Sequence, residues 1–189
     1  PANPSSAIAD GLGMVPEDRK AQGLFLDHSV ERNVSISSLE DYVSAEVVQN
    51  RAVRQAVLEQ MARLRLRKNA IDLPVRALSG GNQQKAALAR WLLRDSAVMI
   101  LDEPTRGVDI GAKREIYELI DALARAGKAI LVISSDLPEA IGIADRVLVV
   151  RGGKVVKELS ADEASEETVM RYAVGASEDH QTATAGDQP

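Results

Sequence analysis

Two short runs hold residue types that could do chemistry on a phosphate. Ser79-Gly80-Gly81, within Leu78-Ser79-Gly80-Gly81-Asn82-Gln83-Gln84-Lys85, opens a stretch of helical character. A hydroxyl and two unobstructed backbone N–H groups at a helix N-terminus favour an anion, because the first-turn donors lack partners within the helix and the dipole is positive there. The same residues would also serve as a plain helix start, with Ser79 capping a backbone donor. Further on, Val98-Met99-Ile100-Leu101 runs into Asp102-Glu103-Pro104-Thr105. Two carboxylates at the carboxyl end of a buried parallel strand lie where open α/β sheets place their ligands. Asp102 could hold Mg²⁺ there, directly or through water, and Glu103 could polarise an attacking water. Taken alone, the pair reads equally well as exposed residues of a turn that starts the next helix.

These side chains need a frame, and the sequence supplies one. Residues 7–15 read as a short helix or turn followed by a strand, after which Pro16-Glu17-Asp18-Arg19-Lys20 leaves the sheet as a polar loop. Residues 30–77 have a helical pattern, with Val48, Val53, Val57, Met61 and Leu64 spaced for one apolar face, and Pro74 near its end. A helix is expected from about Asn82 to Leu93, with Trp91 packing it onto the core. The apolar run 97–101 has no alternation, as expected of a central parallel strand covered on both faces. A helix with the stripe Ile116, Leu119, Ile120 and Leu123, stopped by Gly127, and a second strand at 129–133 complete a crossover unit. Gly152-Gly153 between two apolar runs signals a hairpin, a last helix is expected over 161–172, and 176–189 has the small, polar composition of a disordered tail.

Composition narrows the function. A chain of 189 residues with 45% hydrophobic and 27% charged content is large enough for a buried core. The net charge of −5 argues against a nucleic-acid partner, which calls for clustered positive charge. The run Arg63, Arg65, Arg67 and Lys68 fits a solvated helix end, where cations oppose the dipole favourably. Without cysteine, disulfides and thiolate metal sites are excluded. The longest apolar stretches have strand length, well short of the roughly 20 residues that cross a bilayer. His28 and His180 read as exposed and structural.

Four runs, in order and at their spacing, resemble the ABC-transporter ATPase family: Val15-Pro16-Glu17-Asp18-Arg19-Lys20, Leu78 to Lys85, Leu101 to Asp109, and Ile133-Ser134-Ser135-Asp136-Leu137-Pro138-Glu139. More closely, they resemble the C-terminal ATPase half of the two-domain subunits of bacterial monosaccharide importers of the ribose, galactose or xylose type. The resemblance covers residue 7 to about residue 173. It implies an α/β fold, a P-loop NTPase-like ATPase core with an inserted helical subdomain. The partial ATPase domain would occupy 1–175, with the helical subdomain at about 30–77 and the catalytic core at about 78–150. No GxxxxGK[ST] loop occurs in the sequence, and Leu12 to Pro16 reads as the middle of a domain, so the domain is expected to be incomplete at its N-terminus, with one sheet face uncovered.

The resemblance also implies roles. Two such domains would face each other, and Ser79, Gly80, Gly81 and Asn82 would touch the ATP held by the partner domain. Asp102 would serve Mg²⁺, and Glu103 the attacking water, at this domain's own ATP. Asp109 would belong to the loop that links the two sites, and residues 30–77 would grip a membrane-spanning permease subunit. A periplasmic sugar-binding protein would be an indirect partner, and the location would be the cytoplasmic face of the bacterial inner membrane, peripherally attached. Two positions depart from the general family pattern: Glu17 stands where a glutamine is usual, and Ser135 where a histidine contacts the γ-phosphate. A serine donates one hydrogen bond and cannot carry a cation's charge, so stabilisation there would be weaker. The expectation is therefore an ATPase energising sugar import, with a largely non-catalytic half as the alternative. A soluble ABC ATPase acting on nucleic acid or ribosomes would call for a basic surface or long coiled-coil insertions, and the sequence has neither.

Overall fold

The computed structural model describes residues 1–175, so the tail expected at 176–189 and His180 lie outside the described residues. The described chain divides into two compact units, one ending at Ile133 and the other beginning at Ser134.

In the first unit, helix α1 (Pro4–Ala9) is capped by Asn3, whose side chain accepts from Ser6 N at 2.9 Å, and leads into strand β1 (Leu12–Val15). A single wide helical turn, Arg19–Gly23, follows, started by Asp18, whose carboxylate accepts from the backbone N of Lys20 and Ala21. Helix α2 (Val30–Ser35) begins at Ser29, and a small antiparallel ribbon, β2 (Val43–Ser44) and β3 (Val47–Val48), separates it from α3 (Asn50–Arg63). The continuous helical pattern expected over 30–77 is thus broken. Val53, Val57, Met61 and Leu64 are buried as expected, whereas Val48 lies in the ribbon and is exposed. Positive φ at Ala45 and Glu46 makes the tight reversal that a helix there would not allow.

Helix α4 (Gly80–Leu93) starts two residues before the expected Asn82, because Ser79 Oγ accepts from Asn82 N and makes Gly80 the first helical residue. Strand β4 (Val98–Asp102) is central in a parallel sheet of order β1-β4-β5, with β5 (Ala129–Ile133) joined to it through α5 (Ile110–Arg125). One face of this sheet is sealed: Val15, Met99 and Leu101 have no exposure, and burial of this order is worth about 2 kcal/mol per side chain. The other face carries Met14, Leu131 and Ile133, each 46% exposed, with Ile100 half-buried between its register partners Met14 and Leu131. Burial therefore alternates along β4. The expectation of cover on both faces does not hold, and the expected uncovered face is present, because nothing in the first unit seals that side.

Trp91 packs as expected: a methyl group built on Gly13 would lie 2.9 Å from its ring carbons, so the glycine lets α4 approach β1. The cationic run is exposed at and beyond the end of α3, and His28 is exposed with its ring edge-on to Phe25.

The second unit holds α6 (Leu137–Ile143), the antiparallel pair β6 (Arg146–Arg151) and β7 (Lys154–Ser160), and α7 (Glu166–Val174). Gly152 and Gly153, at φ 58° and 75°, make the hairpin turn that the sequence signalled. Val147, Val149, Leu159 and Val169 form its core. The last helix starts at Glu166, later than the expected 161, because Ser160 is held in a turn by the Glu163 carboxylate and Ser165 supplies the cap.

Candidate functional site

Ser79, exposed at the head of α4, offers its hydroxyl where the dipole is positive; its Oγ accepts from Asn82 N at 3.4 Å, a long contact that leaves lone-pair capacity. Gly80 and Gly81 are required by close approach. A methyl group on Gly80 would sit 2.9 Å from the Gly107 carbonyl oxygen, and one on Gly81 would sit 2.7 Å from Ala112 Cβ. The head of α4 thus lies against the turn at Gly107 and the first turn of α5. Asp109 caps α5, accepting from Ala112 N at 3.0 Å, and stays exposed. Ser79, Gly80, Gly81, Asn82 and Asp109 are gathered around one helix–turn junction.

Asp102 ends β4 opposite Ile133 of β5 and is half-buried. Glu103 follows with φ 46°, and its N–H donates to the Ile133 carbonyl at 2.8 Å. A left-handed glutamate is a strained choice, and the hydrogen bond to the neighbouring strand helps to hold it. The turn closes when Arg106 N donates to the Glu103 carbonyl at 3.1 Å. The two carboxylates therefore stand at the carboxyl edge of the sheet, as the sequence implied, on a turn that leads directly to Gly107 and Asp109.

Glu17 leaves β1 at the same sheet edge and pairs with the Arg106 guanidinium. Ser135 lies in the second unit, in the exposed turn before α6; there the neighbouring Ser134 Oγ accepts from Asp136 N, and Asp136 caps Glu139 N.

Three residues that sequence reasoning gave no role complete the picture. Arg19 is only 7% exposed, and its Nη1 donates to the Arg106 carbonyl at 2.8 Å. Arg106 answers with its side chain on Glu17, so the two loops are tied in both directions. Lys85, buried on α4, pairs with Glu115 of α5 at 2.5 Å, and its hydrogen bond and charge hold the Glu115 carboxyl below the usual range. The only signal for these was their presence inside the quoted runs, since both partnerships join distant segments.

The parallel sheet, the glycine-headed helix and the strand-end carboxylates define an ABC-type nucleotide-binding fold, and the chain belongs to the ABC transporter family, whose family model matches residues 3–106, more than half of it. Among its relatives, the ribose import ATP-binding protein RbsA 1 of Streptomyces avermitilis is 50% identical over 170 residues, covering 90% of this chain and 33% of that protein. RbsA of Geobacillus kaustophilus is 48% identical over 173 residues, covering 92% and 35%, and that of Corynebacterium glutamicum 46% over 181, covering 96% and 34%. The chain spans about a third of the length of the curated relatives it matches. Among solved structures, cbiO1 from Clostridium perfringens, part of an ABC transporter complex, is similar at TM-score 0.68 and 26% identity, covering 86% of this chain and 62% of that one. A dimeric ATP-binding cassette bound to ADP and Pi matches at TM-score 0.67 and 23% identity, covering 79% and 62%, a likeness of fold.

Proposed function

We propose that this chain forms part of the ATPase of an ABC-type sugar importer and presents the head of α4 to ATP held by a second ATPase domain. The observation that carries the reading is the junction at Ser79-Gly80-Gly81, where an exposed hydroxyl and helix-head N–H groups stand against the turn that bears Asp109. The relatives named as ribose import ATP-binding proteins support sugar as the cargo class. Asp102 is the residue that would hold Mg²⁺: a hard carboxylate oxygen at a sheet edge is the donor that ion takes when phosphates and water supply the rest. The ion's charge would offset charge developing on the transferred phosphoryl group. Glu103 would orient and deprotonate the attacking water.

The helical subdomain at about 30–77 is proposed as the face that meets the permease, with a periplasmic sugar-binding protein delivering cargo. Among the described residues no helix is long and apolar enough to cross a membrane, and the proposed place is peripheral, at the cytoplasmic face of the bacterial inner membrane.

A second reading, a half that supplies the family's signature segment, Leu78 to Lys85 at the head of α4 (the signature helix), but turns over little ATP itself, is favoured by Glu17, whose carboxylate is already engaged by Arg106. Two substitutions in the full-length transporter separate the readings. Ser79→Asp keeps a good helix cap but sets a negative charge where a phosphate would lie, and is expected to lower ATP turnover about tenfold or more. Glu103→Gln removes the base and is expected to cost about a hundredfold or more at this domain's own site. Loss with Ser79→Asp and none with Glu103→Gln would establish the non-catalytic half. Wild-type turnover in both would sink the ATPase reading of this segment.

A further inference from the structure

Arg19 is placed where a cation is costly. It stands beside the head of α4, the helix end that favours anions, and among the described residues no carboxylate forms an ion pair with it. Its Nε has no hydrogen-bond partner there, and burial pushes the guanidinium below the ordinary arginine value against a smaller opposing pull from Asp18. What it does reach is informative. Nη1 donates to the Arg106 carbonyl, and a methyl group on Gly80 would lie 3.0 Å from Nη2, one on Gly107 3.9 Å. Asp18 aims it inward by capping the turn at Arg19–Gly23. One planar group, carried on the Glu17 loop, thus bonds to the turn before Asp109 and lies beside the head of the signature helix. Arg106 lies 87 residues from Arg19 in sequence and Gly80 lies 61, yet both stand within reach of one guanidinium.

We propose that Arg19 is a positioning residue that locks the Glu17 loop to the signature head and to the Arg106–Gly107 turn, so that this domain's own nucleotide site and the surface it offers to the partner's ATP move as one body. The proposal rests on the functional reading above. A change at Glu17 when ATP occupies the domain's own site would be passed through the guanidinium to Gly80 and Gly107. Lysine, a single point donor on a flexible stem, cannot hold a carbonyl and brace two backbone turns together.

The test uses the full-length transporter and double-mutant cycles on kcat for ATP. Arg19→Lys is combined with Glu17→Gln in one cycle and with Ser79→Ala in the other. Arg19→Met, which keeps the packed stem without the donors, repeats both, so a poorly folding lysine variant does not decide the matter. The expected result is a fall in kcat with KM for ATP retained, and in both cycles a combined loss smaller than the product of the single losses by about fivefold or more. A plain structural role would move KM and thermal stability along with kcat and leave the effects multiplicative. Multiplicative losses in either cycle, or wild-type kcat with both Arg19 variants, would overturn the lock. The failures are distinguishable: an unsubstituted transporter that hydrolyses no ATP overturns the functional reading itself, whereas active transporter with multiplicative cycles overturns only the role of Arg19.

Discussion

The Arg90 guanidinium, on the signature helix, donates from Nε to the Asn33 carbonyl at 2.8 Å and from Nη2 to Asn33 Oδ1 at 3.3 Å. Asn33 has no exposure and is itself a hub. Its Oδ1 accepts from Phe25 N at 2.8 Å, and its Nδ2 donates to the carbonyls of Phe25, Ser29 and His28. The same loop residues, Phe25, His28 and Ser29, line a cavity of about 650 Å³ between α2 and α3. The wall of that cavity is thereby fixed to α4 through two side chains.

Asn33 has no exposure, and replacing it by Leu would leave the Phe25 N–H and several loop carbonyls without their partner. Each such group costs about 1–3 kcal/mol, and the expected destabilisation is about 3 kcal/mol, read from chemical denaturation of the full-length protein. Asn33→Asp keeps the acceptor and gives Arg90 a counter-charge, so a smaller loss is expected. Equal losses for the two would show that the amide network does not carry the contact.

Glu103 makes a different prediction, because its backbone rather than its side chain carries the strain. At φ 46°, alanine costs about 1 kcal/mol more than glycine. Glu103→Gly is therefore expected to be more stable than Glu103→Ala by about that amount, although both lose the carboxylate and both are expected to lose ATP turnover. Thermal unfolding of the two variants checks it, and an alanine variant as stable as the glycine one would mean that the turn relaxes away from the left-handed region.

Lys85 and Glu115 form an asymmetric pair, with side chains 8% and 43% exposed. Removing the carboxylate strands a buried ammonium, so Glu115→Gln is expected to cost about 2 kcal/mol at neutral pH, while Lys85→Met, which leaves a carboxylate reached by water, costs less than about 1 kcal/mol. The pH dependence follows from the depressed Glu115 pKa, caused first by the Lys85 hydrogen bond and then by its charge. The unfolded chain takes up this proton at the ordinary value of about 4.3, and the folded chain only below it. Between the two values the unfolded state holds more protons, so stability is complete above the ordinary value and is lost as pH falls through the folded one. The stability gap between wild type and Glu115→Gln should be widest above pH 5 and close at strongly acidic pH. A gap independent of pH would show that the pair contributes by packing alone.

What could be read in the sequence was what short-range patterns dictate. The helix headed by Ser79-Gly80-Gly81, the β4 strand ending in Asp102, the stripe Ile116 and Ile120, and the Gly152-Gly153 hairpin each follow from local propensity and periodicity. Val48 falls outside the helix: it precedes Val53 by five residues, off the three-and-four spacing of Val53, Val57, Met61 and Leu64, while the reversal at Ala45 and Glu46 has no glycine to announce it. The run 97–101 reads as doubly covered because apolar composition does not record what lies above a sheet, and Ile100 is half-buried in a row with Met14 and Leu131, each 46% exposed. The Arg19 tie to Arg106 spans 87 residues and a buried cation, and no pattern in either run encodes a partner at that distance.

The contact between Gly13 and Trp91 tests how the site is framed, since it joins the strand that delivers Glu17 to the helix headed by Ser79. A methyl group at Gly13 would meet Trp91 ring carbons and Ser96 Oγ, all at 2.9 Å, closer than van der Waals packing allows. Trp91 is half-buried and Ser96 Oγ is buried without a hydrogen-bond partner among the described residues, and an added methyl would press on both at once. Gly13→Ala is expected to cost about 2 kcal/mol through overpacking, and Trp91→Leu about 2 kcal/mol through the cavity it opens. Together they should cost less than the sum, because the smaller side chain makes room for the added methyl. ATP turnover of the full-length protein should follow the same pattern, falling in each single variant and recovering in part in the double one. Additive losses in both stability and turnover would mean that α4 and β1 shift independently of this contact, and that the position of Glu17 relative to the signature head is set elsewhere.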